Sequence, residues 1–313
     1  MKSIAIADAH TDYLTSQLTG FTDIDAGMDA QFHVSRPALL EGNVRMQFFA
    51  AFVDSDKVEN SVAYTLEQID EFYRMLDAWG SDIVEITGEN VDDVMANGPI
   101  GAVLTIEGGD AIGGSLHVLR IMRRLGVKAM TLTWNRENAI GTPAILDGES
   151  GLKPFGFACV QEMNRLHMAI DVSHLNVAGF WDVMKTTTEP IMATHSNAKA
   201  ECDHFRNLED DQIKAIIHQK GFIGLNFASD FLRGPKSNLD DLLRHADYIL
   251  SLGGEDVLGL GSDWDGIEQF PEELEGAQSF QKILERFQKA GYAETLIKKI
   301  AHGNLVRYIR PFL

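Results

Sequence analysis

Cysteine is nearly absent: Cys159 and Cys202 are the only two in 313 residues. Two thiols cannot build a disulfide framework, so both are read as reduced. Basic charge is also short. Lys and Arg number 27 against 46 Asp and Glu, a formal net charge of −19. That deficit argues against nucleic-acid partners, which need clustered Lys and Arg, and against adhesion to an anionic membrane. No apolar run approaches the roughly 20 residues of a membrane span. The opening MKSIAIADAHTD carries one Lys and turns acidic within ten positions, unlike a signal peptide. A cytoplasmic location is the expectation. No Gly-rich phosphate loop follows the first apolar run, and no linker, low-complexity tract or charge block divides the chain.

What the chain does have is an alternation. Apolar runs of strand length lie near 3–7, 46–53, 101–106, 127–132, 168–172, 190–194, 221–227 and 256–261. They are almost continuously apolar, which suits strands buried on both faces of a parallel sheet. Between them lie segments of helical period. Over 61–77, Val62, Leu66, Ile69, Tyr73 and Leu76 recur at steps of four and three, predicting one buried stripe. Residues 115–125, 157–167, 176–186, 209–219, 239–252 and 276–290 read the same way. Asn176, Glu209 with Asp210, and Asn238 stand where helix caps and N-terminal acids are favoured. Eight strand–helix units predict an α/β fold, a (β/α)8 TIM barrel, occupying 1–313 as one domain. An open doubly wound sheet is the alternative.

Metal-ligand residue types gather after these runs. The first is followed by His10 and Asp12, the third by Glu107, the fifth by His174, the sixth by His195 and the eighth by Asp263. In a barrel, the C-terminal ends of the strands are where active sites are built. His10 and Asp12 are two apart, so an extended strand points both the same way. Imidazole with carboxylate is a zinc-type donor set. Glu107 has two oxygens and is the candidate bridge between two metals. His174 and His195 could hold the second ion. Asp263 could complete the first and accept a proton from a bridging water. Taken singly, each residue has a plainer explanation: a capping Asp263, a turn Glu107 before two glycines, histidines hydrogen-bonded beside a core. Ligand types on five strand ends together favour the metal site. Asp265 is a weaker candidate at the eighth end. His33, His117, His167, His204, His218, His245 and His302 fall on presumed helices or loops and are read as structural or solvent-facing.

The ordered segments DAHTD (8–12), TIEGGD (105–110), LTWN (132–135), DVSHLN (171–176), ATHSNAKAECDHFRNL (193–208), GLGSDWDGI (259–267) and HGNLVR (302–307) span essentially the whole chain. Together they resemble the membrane (renal) dipeptidase family of zinc peptidases, among the amidohydrolase-like barrels. The resemblance implies a metal-dependent dipeptidase with two Zn2+ per chain, other divalent metals being possible. His10, Asp12 and Asp263 would hold one ion, His174 and His195 the other, and Glu107 both. The implied substrates are dipeptides, including ones with a D-residue at the C-terminal side, hydrolysed through a metal-bridging hydroxide. Asp263 would move the proton. Arg206 matches the family's substrate-binding arginine, and its planar guanidinium suits a carboxylate. A homodimer is implied by the same analogy.

Two positions depart from the pattern. Trp134 stands where well-studied members have a histidine that bonds the tetrahedral intermediate. An indole donates one hydrogen bond and cannot accept. Trp134 is therefore assigned to substrate binding, and Asn135 or Arg136 could share oxyanion stabilisation. Ala228 stands where animal members tend to have a tyrosine. The C-terminus, RYIRPFL, has no hydrophobic tail, which resembles the soluble bacterial branch. The alternative activity is another two-metal amidohydrolase, such as a lactonase or N-acyl amino acid hydrolase. A non-catalytic binding protein would be expected to have lost a ligand, and none of the six is lost.

Overall fold

The apolar runs do become parallel strands. The structure, a computed structural model, describes residues 3–19, 32–146 and 148–313. Its strands are β1 (Ile6–Asp8), β2 (Val44–Phe52), β3 (Ile83–Glu85), β4 (Ile100–Glu107), β5 (Ala129–Thr131), β6 (Ala169–Asp171), β7 (Met192–Ala193), β8 (Phe222–Leu225) and β9 (Leu258–Leu260). All pairings between them are parallel. The ring runs β1-β2-β4-β5-β6-β7-β8-β9 and returns to β1 through Asp8 opposite Leu260. This closure rules out the open sheet. Each of the eight expected runs supplies one barrel strand, and the fold is the (β/α)8 barrel.

The ninth strand, β3, was not foreseen. It is three residues long and lies along the N-terminal half of β4, whose C-terminal half pairs β5 on that same edge. The end of the barrel away from the strand C-termini is filled by Met46, Phe48, Val103, Met192 and Phe222. These pack with Leu305, Tyr308, Ile309 and Phe312 from the chain's last helical turns. No helix among the described residues is long and apolar enough to cross a membrane.

The helices form where their caps predict. Asn176 Oδ1 accepts from the Gly179 amide, and Asn238 Oδ1 from those of Asp240 and Asp241. Gln212 Oε1 accepts from the Glu209 amide at the start of Asp210–His218. The segment 276–290 divides into a turn, Ala277–Ser279, and a helix, Phe280–Lys289. The helix Ser61–Trp79 corrects the expected stripe. Its buried face carries Thr65, Gln68, Ile69, Phe72, Met75 and Trp79, while Leu66 and Tyr73 are exposed. The helix is rotated by about one residue because Phe72 and Trp79 bury more apolar surface than Leu66 and Tyr73 would. Tyr73 keeps its hydroxyl wet and donates to Leu125 O.

Candidate active site

Strand register brings the candidate residues to one end of the barrel. Glu107, Thr131 and Asp171 are directly aligned at the C-terminal ends of β4, β5 and β6. Past β1 and β9, Thr11 continues the ladder with Trp264. The Thr11 hydroxyl and the Asp12 amide both donate to Trp264 O, at 2.7 and 3.0 Å. That tie sets the His10–Asp12 side chains against Asp263.

His174 and Asp263 have left-handed backbone, φ 66° and 64°. Neither is glycine, so each turn stores roughly 1–2 kcal/mol of strain to aim a functional side chain inward. A direct check strips the His174 side chain in two ways. In metal-free protein, His174→Gly is expected to be about 1 kcal/mol more stable to urea than His174→Ala, because only the alanine keeps a Cβ at positive φ. Equal stabilities would show the turn to be unstrained. Gly266 meets a different constraint: a Cβ there would lie 2.1 Å from Asp12 Oδ2 and 2.8 Å from Asp263 Oδ1.

All six expected ligands converge, and all are buried. Glu107 divides them. Its Oε2 lies 3.4 Å from His10 Nε2, and its Oε1 lies 2.9 Å from His174 Nε2 and 3.4 Å from His195 Nε2. His10 Nε2 is also 3.9 Å from Asp12 Oδ2 and 3.8 Å from Asp263 Oδ1. The two imidazoles on the other side bring their Nε2 atoms to 3.0 Å of each other. Among the described residues, His10–Asp12–Asp263 and His10–Glu107–His195 each offer three ligand atoms within 4.8 Å.

The electrostatics fit a cation. Burial opposes charge on His10, but Glu107, Asp12 and Asp263 outweigh it and hold its pKa at about 10. Burial also opposes ionisation of Glu107, yet the charge of His10 holds it well below the usual range. Burial and then the charge of Glu107 push Asp12 well up, and burial lifts Asp263 to about 6. Burial lowers His174 to about 4, with Arg206 adding to it, and lowers His195 strongly, so both rings are neutral. Three buried carboxyl groups face one imidazolium, so ionising all three leaves surplus negative charge that a cation would offset. Among the described residues, His10 Nε2 and Asp12 Oδ1 have no hydrogen-bond partner. Orphaned, buried donor atoms of both types are what divalent ions would satisfy.

Around this cluster, Asn226 Nδ2 donates to Asp263 Oδ2 at 2.8 Å. Asn226 carried no signal of its own in the sequence. Arg206 is buried; its Nη2 donates to His195 O at 3.2 Å, while its Nε has no partner among the described residues. Burial lowers its pKa. A cavity of about 380 Å³ opens beside it, walled by His174, Arg206 and Phe205 among others. Trp134 is not on that wall. It packs edge-on to Phe52 at 4.8 Å, with its centroid 6.5 Å from His174. Asn135 and Arg136 both have partners. Asn135 Oδ1 is 3.0 Å from His174 Nδ1, and Arg136 pairs with Asp56 at 2.7 Å and Asp54 at 3.7 Å. Asp265 accepts from the His33 and Val34 amides and belongs to neither ligand group. His245 is buried and bonded to Ala198 N and Leu232 O, in keeping with a structural role.

Known proteins share this architecture. The model of the membrane dipeptidases, peptidase family M19, matches residues 1–312. An uncharacterized dipeptidase of Schizosaccharomyces pombe is 34% identical over 316 residues, 91% of this chain and 76% of that protein. Among solved structures, a dipeptidase AC, a metallopeptidase of family M19, superposes with TM-score 0.94 at 29% identity over 99% of both chains. A metallopeptidase from Rhodobacter sphaeroides, bound to a phosphinate mimic of L-Ala-D-Ala, gives TM-score 0.94 at 27% identity over 100% of both. The chain belongs to the membrane dipeptidase family, peptidase family M19, and is a metal-dependent hydrolase of peptide bonds of the dipeptidase type.

Proposed function

We propose that residues 1–313 act as one catalytic domain that hydrolyses dipeptides with the help of two divalent ions, zinc by preference. The observation that carries this reading is the division of Glu107, whose two oxygens face two separate donor sets. His10, Asp12 and Asp263 would hold one ion, His174 and His195 the other, with Glu107 shared. When bound, such a pair supplies an acidified water and polarises a carbonyl.

The chain's own residues do the rest. Asp263, near neutral pKa and steadied by Asn226, takes a proton at its carboxylate and returns it to the leaving amine. Arg206 binds the substrate carboxylate through its guanidinium, whose Nε–H has no partner among the described residues, and so positions the scissile bond. Trp134, edge-on to Phe52 and with its ring centroid 6.5 Å from His174, takes part in substrate binding from outside the Arg206 cavity wall. Dipeptides ending in a D-residue belong in the substrate range, as the mimic bound by the Rhodobacter relative suggests.

A turnover panel of L-L and L-D dipeptides, lactones and N-acyl amino acids tests the substrate class. Dipeptides are expected to lead, and lactones ahead of them would overturn the reading. Within that panel, Arg206→Lys keeps the charge but loses the planar fork. It is expected to raise KM roughly 10–100-fold for dipeptides, with little change for substrates lacking a carboxylate. Equal losses on both would show that Arg206 serves the fold instead.

A further inference from the structure

Behind His195 lies a buried polar chain. Thr194 Oγ1 is 2.7 Å from His195 Nδ1 and donates to Asp171 Oδ2 at 2.5 Å. The same Oδ2 accepts from the Thr131 hydroxyl at 2.5 Å. Asp171 Oδ1 accepts the backbone N–H groups of Ser173 and Thr194, both at 3.0 Å. The carboxylate is buried, and four donors converge on it.

The direction of this chain is fixed by its far end. Asp171 accepts from all four of its donors. The single Thr194 proton therefore goes to Asp171, and toward His195 the hydroxyl can only accept. His195 must then carry its proton on Nδ1, which leaves the Nε2 lone pair facing Glu107 and His174. Resting on the ligand role proposed above for His195, we propose that Asp171, acting through Thr194, is a positioning residue that fixes the His195 tautomer for metal binding. Strand register builds the device: Asp171 is aligned with Thr131 on β5 and with Met192 on β7, two residues before Thr194.

Asp171→Asn is nearly isosteric but reverses the chain. Its amide oxygen can still serve the two backbone N–H groups, while its NH2 now donates to the Thr194 hydroxyl. That hydroxyl then donates to His195 Nδ1 at 2.7 Å rather than to the more distant Ser173 Oγ at 3.3 Å, moving the ring proton to Nε2 where an ion would sit. Thr131→Val is the control, since it removes one bond to Asp171 and leaves the path to His195 intact.

The test combines two readouts on the full chain. The first is zinc affinity by chelator competition. Asp171→Asn and Thr194→Val are expected to weaken the second zinc about 10–100-fold, Thr194→Ser to restore it, and Thr131→Val to leave it within a few-fold. The second is the 15N shift of His195 in metal-free protein, expected to report Nδ1–H in the parent and Nε2–H in Asp171→Asn. If Asp171→Asn does not fold, the Thr194 pair decides alone. His195→Ala separates the two levels. Unchanged zinc binding there removes the ligand role itself. Weakened binding there, with parental affinity and tautomer in Asp171→Asn and Thr194→Val, overturns only the relay, as would an equal loss in Thr131→Val.

Discussion

Removing divalent ions with a chelator is expected to abolish dipeptide hydrolysis and to lower the melting temperature by at least about 10 °C. Both effects come from one arrangement. Asp12, Glu107 and Asp263 are buried together with a single imidazolium, His10, to offset them. Like charges this close repel strongly in a water-poor site, and a 2+ ion relieves that repulsion far better than a proton. A bound ion at 1,000 times its Kd adds about 4 kcal/mol of stability per site. The stability term is separable from catalysis, because calorimetry of the parent with and without zinc needs no substrate. Re-addition should restore activity in two steps if the two halves around Glu107 fill unequally, and zinc analysis should give two ions per chain. One ion at saturation would reduce Glu107 to an ordinary ligand. Full activity after exhaustive chelation would remove metals from the reaction.

The site was more legible in the sequence than the packing around it. Ligand residue types and strand ends are both written in local pattern, so the sequence alone puts His10, Asp12, Glu107, His174, His195 and Asp263 at strand ends. Their convergence follows from closing the barrel, because every parallel strand delivers its C-terminal end to the same rim. Residues that support the site were not legible, since their partners come from distant segments. Asn226 meets Asp263 across 37 positions, and Asp171 meets Thr131 across 40. Nothing in the local run around Asn226 marks it as different from any strand-end amide. The helix at 61–79 was misread for a related reason. Its period was right, but its phase depended on what the barrel offered to Phe72 and Trp79, which periodicity alone does not encode. Trp134 was identified by a departure from a family pattern, and only the structure gives it a neighbour, Phe52.

Asp263→Asn is the substitution that should cost most at least change in shape, with kcat expected to fall about 10²–10⁴-fold. The parent carboxylate is held at two points: Oδ2 accepts from Asn226 Nδ2, and Oδ1 faces His10 at 3.8 Å. Burial lifts its pKa to about 6, close to where a group can take and return a proton at neutral pH. An amide cannot make that exchange. The Asn226 donor also demands an oxygen, so the new amide would turn its NH2 toward His10 and the interior of the site. One zinc should therefore bind more weakly while the His174–His195 side keeps its ion, and KM should change much less than kcat because Arg206 is untouched. The measurement is kcat at saturating zinc, with zinc content determined on the same sample. A variant that holds both ions and turns over at the parental rate would show that the proton travels through another group. A variant that loses the fold would be told apart by its melting curve.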